Sequence, residues 1–321
     1  MTSTAATPTT SSPATKSRKT PILRDVTLRD GLQDELPIGT EAKLAIYEAL
    51  VAAGVRELEL TSFVRADLVP AMADAEALCA ATAAVAGGVT RWGLVLNTRG
   101  AERALAAGLG HLQFVVSVSD THSRHNAGRS TDEALDDLTT VVGLASAAGA
   151  VVEVTLACSF GCPFEGQIPV ARVTALAGRC VEAGVASIGL ADTIGVAIPS
   201  EVRRLVAEIA DLASGAGVAV GVHLHDTRGL GVANALAAIE AGVDRIDASV
   251  GALGGCPFAP GASGNVALED LAHALAADGV ETGVDVAGLV VAAEVACRAV
   301  GRPVGSHVGV AGPRFATNPT A

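Results

Sequence analysis

Seven times along this chain an alanine-rich stretch stops at a glycine and a short apolar run starts at once. The junctions are Gly54 before VRELEL, Gly88 before VTRWGLVL, Gly108 before LGHLQFVVSV, Gly149 before AVVEVTLA, Gly184 before VASIGLAD, Gly217 before VAVGVHLH and Gly242 before VDRIDASV. Glycine takes the left-handed conformation that ends a helix, and a β-branched run then starts a strand. With ILRDVTL at 22–28 as a first strand, the chain has eight strands separated by helix-forming segments of the length that parallel crossovers need. This pattern predicts a (β/α)8 TIM barrel. An open doubly wound sheet is the alternative, but it usually has fewer strands, and no GxGxxG follows the first strand here. The segment at 280–303 reads as a C-terminal helical extension, so one catalytic domain at 21–303 is expected between an N-terminal tail, 1–20, and a C-terminal tail, 304–321. A length of 321 residues suits one such barrel with insertions.

Composition narrows the partners. Aromatics make up 2% of the chain and the formal net charge is −12, so neither base stacking nor phosphate attraction favours nucleic acid. Charged residues and glycine-rich turns interrupt every hydrophobic run, so no membrane span is expected. Six cysteines without paired spacing point to reduced thiols and a cytoplasmic compartment, with Cys158 and Cys162 as strand-end packing residues. The first 20 residues lack acids and an apolar core; they read as a disordered tail, with an organellar transit peptide as the alternative.

Catalytic groups of such a barrel gather at the C-terminal ends of its strands. Ionisable and amide residues collect there: Arg29, Asp30 and Gln33 after the first strand, Glu59 on the second, Asn97 after the third, Asp120 and His122 after the fourth, Asp192 on the sixth, His223 and His225 on the seventh, and Cys256 and Asn265 in a glycine-rich loop after the eighth. Residues two apart on a strand share a face, so His223 and His225 read either as two ligands of one ion or as ordinary strand histidines. Asp30, across the barrel mouth, supplies a carboxylate to the first reading. With Asp30 and the amide oxygen of Asn265, the set offers two imidazoles and two hard oxygens, which suits octahedral Mg²⁺ or Mn²⁺.

The segment GALGGCPFAPGASGNVALEDL at 251–271 closely resembles the signature loop of 3-hydroxy-3-methylglutaryl-CoA lyases. RDGLQDE at 29–35, ELTSF at 59–63, SFGCPFEG at 159–166, LADTIGVAIP at 190–199 and HLHDT at 223–227 resemble that family in the same order. The resemblance implies that Asp30, His223, His225 and Asn265 bind the metal, that Arg29 polarises a substrate carbonyl, and that Cys256 assists proton transfer from a mobile loop. Glu59 and Asp192 match further acidic positions of the active site, and Gln33 and Asn97 are candidate substrate contacts. One departure is TLRDG at 27–31, which resembles the related Claisen-type synthases, although those lack the GGCPFAPG loop.

The expected reaction is a retro-Claisen cleavage of an acyl-CoA, in the simplest case 3-hydroxy-3-methylglutaryl-CoA to acetyl-CoA and acetoacetate. A related 3-hydroxyacyl-CoA, or condensation by a synthase of the same fold, is the alternative. The base is open among His223, Asp30 and water at the ion. A homodimer or higher homo-oligomer is expected.

Overall fold

The computed structural model describes residues 20–83, 85, 88–255, 264–312 and 314–315. Its eight strands are β1 (Ile22–Asp25), β2 (Glu57–Ser62), β3 (Thr90–Val95), β4 (His111–Ser117), β5 (Val151–Ala157), β6 (Ser187–Asp192), β7 (Ala219–Leu224) and β8 (Arg245–Ala248). All pair in parallel in sequence order, and β1 closes on β8 through the register Ile22↔Arg245 to Asp25↔Ala248. The helices that cover this barrel are α1 (Thr40–Ala52), α2 (Ala75–Ala83), α3 (Thr98–Ala106), the short α4 (Asp120–Ala127), α5 (Thr131–Ala147), α6 (Val170–Glu182), α7 (Pro199–Ser214), α8 (Gly231–Glu240) and α9 (Leu268–Ala277). All seven junction glycines have left-handed backbones, with φ between 62° and 92°, so each helix-to-strand turn falls where the sequence placed it. Among the described residues, no helix is long and apolar enough to cross a membrane.

Strand alternation sorts the residues into two environments. Leu58, Leu60, Val152, Val154, Leu156, Ile188, Leu190, Val220, Val222 and Ile246 are buried in the apolar layer beneath the helices. The alternate positions face the barrel axis and include its buried charged residues. Arg24 donates to Glu57 and to both carboxylate oxygens of Glu153, and Arg245 donates to Glu153 and Asp247. The Arg24 guanidinium also lies 4.2 Å above the Trp92 ring. Gly189 and Gly221 give Arg245 its space: a Cβ at 221 would sit 2.5 Å from the Arg245 Cζ.

Two segments differ from the sequence-based expectation. The first strand was expected to run to Leu28, yet β1 stops at Asp25. The buried Asp25 carboxylate accepts the Thr27 N–H at 2.9 Å and the Thr27 hydroxyl at 2.7 Å, which turns the chain. A single π-helical turn, Thr27–Gly31, follows, closed by Gly31 N–H donating to Val26 at 3.0 Å. Such turns recur at functional sites because they redirect side chains within one turn. At the other end, α10 (Val286–Val300) packs on α1 and is tied to it where Asp285 N–H donates to Ala53. The segment read as a loose tail contains a short helix, α11 (His307–Ala311), because the Asp270 carboxylate on α9 accepts the free N–H groups of His307 and Val308. Residues 1–19 and 316–321 lie outside the described residues.

Candidate active site

The π-helical turn after β1 aims Arg29 and Asp30 across the barrel mouth towards β7. His223 lies on β7 and His225 just beyond its end. The Nε2 atoms of the two histidines are 3.2 Å apart, and Asp30 Oδ2 lies 3.8 Å from His223 Nε2 and 3.7 Å from His225 Nε2. These three buried side chains form a group able to hold one metal ion. Asn265 joins them because the chain returning from β8 makes an isolated bridge with His225, and its Nδ2 donates to Asp30 Oδ2 at 2.8 Å and to the Leu253 carbonyl at 3.0 Å. The loop backbone must pass close by. A Cβ on Gly254 would fall 2.5 Å from Asn265 Nδ2, and one on Gly264 would fall 2.5 Å from the Ala252 carbonyl.

The buried Oδ1 of Asn265 has no hydrogen-bond partner. A buried amide oxygen left unpaired is costly, and with the amide turned over from its Nδ2 contact to Asp30 that oxygen would meet a divalent cation at the cluster. The residues therefore fit a divalent metal ion. Burial opposes ionisation of Asp30, but the Arg29 guanidinium and both imidazoles outweigh it and hold the carboxyl well below its usual range. It is thus an anion ready to coordinate. For His223, burial disfavours the cation, yet the Asp247 and Asp30 carboxylates prevail and raise its pKa. Asp247 Oδ2 stands 3.6 Å from His223 Nδ1, an ion-pair distance beyond hydrogen-bond range. The ring thus turns its Nδ1 edge to Asp247 and its Nε2 edge to Asp30 and His225.

Arg29 is held by carboxylates on two sides. Its Nε donates to Glu59 at 2.5 Å, its Nη1 donates to Asp30, and it lines the cavity at the cluster. Glu59 is buried beneath it, so its role in this geometry is to orient the guanidinium; burial raises the Glu59 pKa despite that partner. Asp192 faces backbone: its carboxylate accepts the N–H groups of Val196 and Ala197 at 2.9 and 3.0 Å, shaping the turn after β6, and burial raises its pKa. Gln33 lines the cavity with the cluster. Asn97 instead caps α3 by accepting the Gly100 N–H at 2.9 Å and borders a neighbouring cavity. Cys256 lies outside the described residues. The other five cysteines are free and buried; burial pushes the Cys158 thiol up to about 12, which suits packing over chemistry.

The cavity above the cluster encloses about 260 Å³ and is walled by Val64, Leu68, Leu94, Leu96 and Val115 on one side and by Arg29, Gln33, His223 and His225 on the other. Sequence reasoning missed Asp247, Arg245 and Gln113. The one available signal was the polar alternation within RID at 245–247 and QFV at 113–115.

Comparison with known proteins follows the same lines. The HMGL-like family matches residues 20–296. The chain is 40% identical to an (R)-citramalyl-CoA lyase of Chloroflexus aurantiacus over 91% of its own length and 94% of the relative's. It is 37% identical to a hydroxymethylglutaryl-CoA lyase of Bacillus subtilis, covering 89% of this chain and 95% of that one. Its fold superimposes with a TM-score of 0.87 and 35% identity on an HMG-CoA lyase of Acinetobacter baumannii solved with coenzyme A and 3-methylmalate, over 93% of this chain and 97% of that structure.

Proposed function

The chain belongs to the HMGL-like family of carbon–carbon lyases, and on that premise we propose that it cleaves 3-hydroxy-3-methylglutaryl-CoA to acetyl-CoA and acetoacetate. The observation that carries this reading is the meeting of Asp30, His223 and His225 with Arg29 in one cavity at the barrel mouth, with Asn265 buried against Asp30. These four residues would hold Mg²⁺ or Mn²⁺. When bound, the ion acts as a Lewis acid that lowers the pKa of the C3 hydroxyl.

The chain's own groups do the rest. The C3 hydroxyl loses its proton to a base at the cluster, the C2–C3 bond breaks, and its electron pair passes to C2 in conjugation with the thioester. The C3 oxygen becomes the product carbonyl, and C2 takes up a proton to give acetyl-CoA. Arg29 is fixed through Nε and Nη1, which leaves Nη2 for the thioester oxygen as negative charge grows there. A donor held in place before reaction stabilises the transition state more than the ground state. His223, with its Nδ1 edge facing Asp247, presents Nε2 at the cluster as the candidate base. Cys256 is the proposed proton carrier to C2.

A second reading has its own support, since the Chloroflexus relative acts on (R)-citramalyl-CoA. The same bond breakage there yields acetyl-CoA and a 2-keto acid. Incubating the protein with each thioester and Mg²⁺, and following acetyl-CoA with its keto product by mass spectrometry, separates the two. Cleavage of 3-hydroxy-3-methylglutaryl-CoA with the higher kcat/KM supports the first reading, and cleavage of citramalyl-CoA alone replaces it.

A further inference from the structure

Inside the cavity, below the metal cluster, is a polar floor that the cleavage chemistry does not use. Gln113 projects from β4 towards the barrel axis, two residues deeper than Val115, and is 1% exposed. Its Nε2 donates to Thr155 Oγ1 at 3.0 Å, and its Oε1 is buried without a partner. Both residues line the same cavity as Asp30, His223 and His225. So does His122, whose Nδ1 lies 3.1 Å from Ser117 Oγ. Burial drives the His122 pKa down to about 4, so at neutral pH it presents an uncharged imidazole. Leu94 is the register partner of Gln113 on β3 and an apolar neighbour in the cavity wall. An apolar side chain at 113 would match that wall, whereas the amide leaves a polar atom unmet.

The geometry of a bound acyl group says what would meet it. With the C3 hydroxyl at the cluster, the thioester leading out to solvent and the C3 carboxymethyl group beside the cation site and Arg29, the last C3 branch points inward towards Gln113. The barrel interior beneath them already holds four carboxylates, Glu57, Glu59, Glu153 and Asp247, against three guanidiniums, Arg24, Arg29 and Arg245. A further buried anion there is disfavoured. A hydroxyl both donates and accepts, so it satisfies the Gln113 amide in either orientation.

We infer that Gln113, Thr155 and His122 form a specificity subsite for a neutral, hydroxyl-bearing branch on C3 of the acyl group. The inference rests on the lyase reading and deepens it. Within that reading, the preferred member of the substrate class carries a hydroxyl on the C3 branch where 3-hydroxy-3-methylglutaryl-CoA has a plain methyl, and cleavage returns acetyl-CoA and a hydroxylated 3-keto acid. Discrimination comes from the buried amide, because an analogue without the hydroxyl leaves the Gln113 oxygen unmet and is turned over more slowly.

The test compares 3-hydroxy-3-(hydroxymethyl)glutaryl-CoA with 3-hydroxy-3-ethylglutaryl-CoA, which match in size. The wild-type protein should favour the hydroxymethyl compound by about 10- to 100-fold in kcat/KM. Gln113→Leu should erase most of that preference while still cleaving the ethyl compound. Thr155→Val gives the same reading should the Leu variant fail to fold. Equal rates on both compounds in the wild type, or a preference unchanged in both variants, overturns the subsite. Calorimetric binding of the two thioesters reads the preference without turnover. Discrimination in binding without any cleavage would therefore sink the lyase reading and leave the subsite standing.

Discussion

Gly221 offers the sharpest way to disturb the site without touching a metal ligand. An alanine there would place its Cβ 2.5 Å from Arg245 Cζ, 2.6 Å from Nη2 and 3.0 Å from Nε. Ordinary carbon contacts lie near about 3.5–4.0 Å, so the guanidinium must retreat by roughly 1 Å. It has nowhere to go: Nε is held by Asp247 at 2.7 Å and Nη1 by Glu153 at 2.7 Å. A retreat of that size carries both contacts out of hydrogen-bond range. Breaking a buried ion pair costs about 3–5 kcal/mol. At roughly 2–4 °C per kcal/mol for a large domain, Gly221→Ala should lower Tm by on the order of 6–20 °C. The effect should also reach the cluster, because Asp247 faces His223 Nδ1 across an ion-pair distance of 3.6 Å. Loss of such an orienting partner weakens metal binding by about 10- to 100-fold. Circular dichroism melts and Mn²⁺ titrations followed by electron paramagnetic resonance measure the two effects. Gly215→Ala, where nothing lies within 4 Å, is the control and should behave as wild type. A Gly221→Ala protein with wild-type Tm and Mn²⁺ affinity would refute the claim that Arg245 and Asp247 brace the site.

Three further outcomes are expected. Arg29→Met should lower kcat by at least about 100-fold with little change in Mn²⁺ affinity, as loss of one oxyanion donor does; a wild-type kcat would remove Arg29 from the chemistry. Burial, partly offset by the Thr27 hydrogen bonds, raises the Asp25 pKa to about 7. The folded state therefore retains a proton that the unfolded chain loses near pH 4, and this contribution to stability is lost as pH rises from about 4 to about 7. Urea unfolding should show Asp25→Asn gaining about 2–3 kcal/mol relative to wild type between pH 5 and pH 8, and an equal difference at both pH values would contradict it. Gly143 sits inside α5, and nothing lies within 4 Å of the place an alanine methyl would take; Gly143→Ala should raise stability by about 0.5–1 kcal/mol by the same unfolding assay, and a loss would contradict the helix assignment.

Much of the fold was legible because its punctuation is local. Each junction glycine takes a conformation that other residues resist, so the helix-to-strand turns are written residue by residue. The HxH spacing on β7 and the acid after β1 were legible for the same reason. The polar interior was not. Whether Arg24 meets Glu153, 129 residues away, depends on the stagger of eight strands around the axis, which no local pattern records. The end of β1 was hidden by a long-range requirement of another kind: the Asp25–Thr27 turn makes sense only once Val250 N–H is seen donating to the same Thr27 hydroxyl at 2.9 Å. Asn97 and Asp192 carry residue types equally suited to substrate contact and to capping backbone, and the structure shows both on backbone N–H groups.

Anomalous diffraction from crystals soaked in Mn²⁺ addresses the ion site most directly. One peak should appear about 2 Å from Asp30 Oδ2, from the Nε2 atoms of His223 and His225, and from an Asn265 amide oxygen. A saturating soak that leaves those four side chains without a peak, or puts the ion elsewhere in the barrel, contradicts the account.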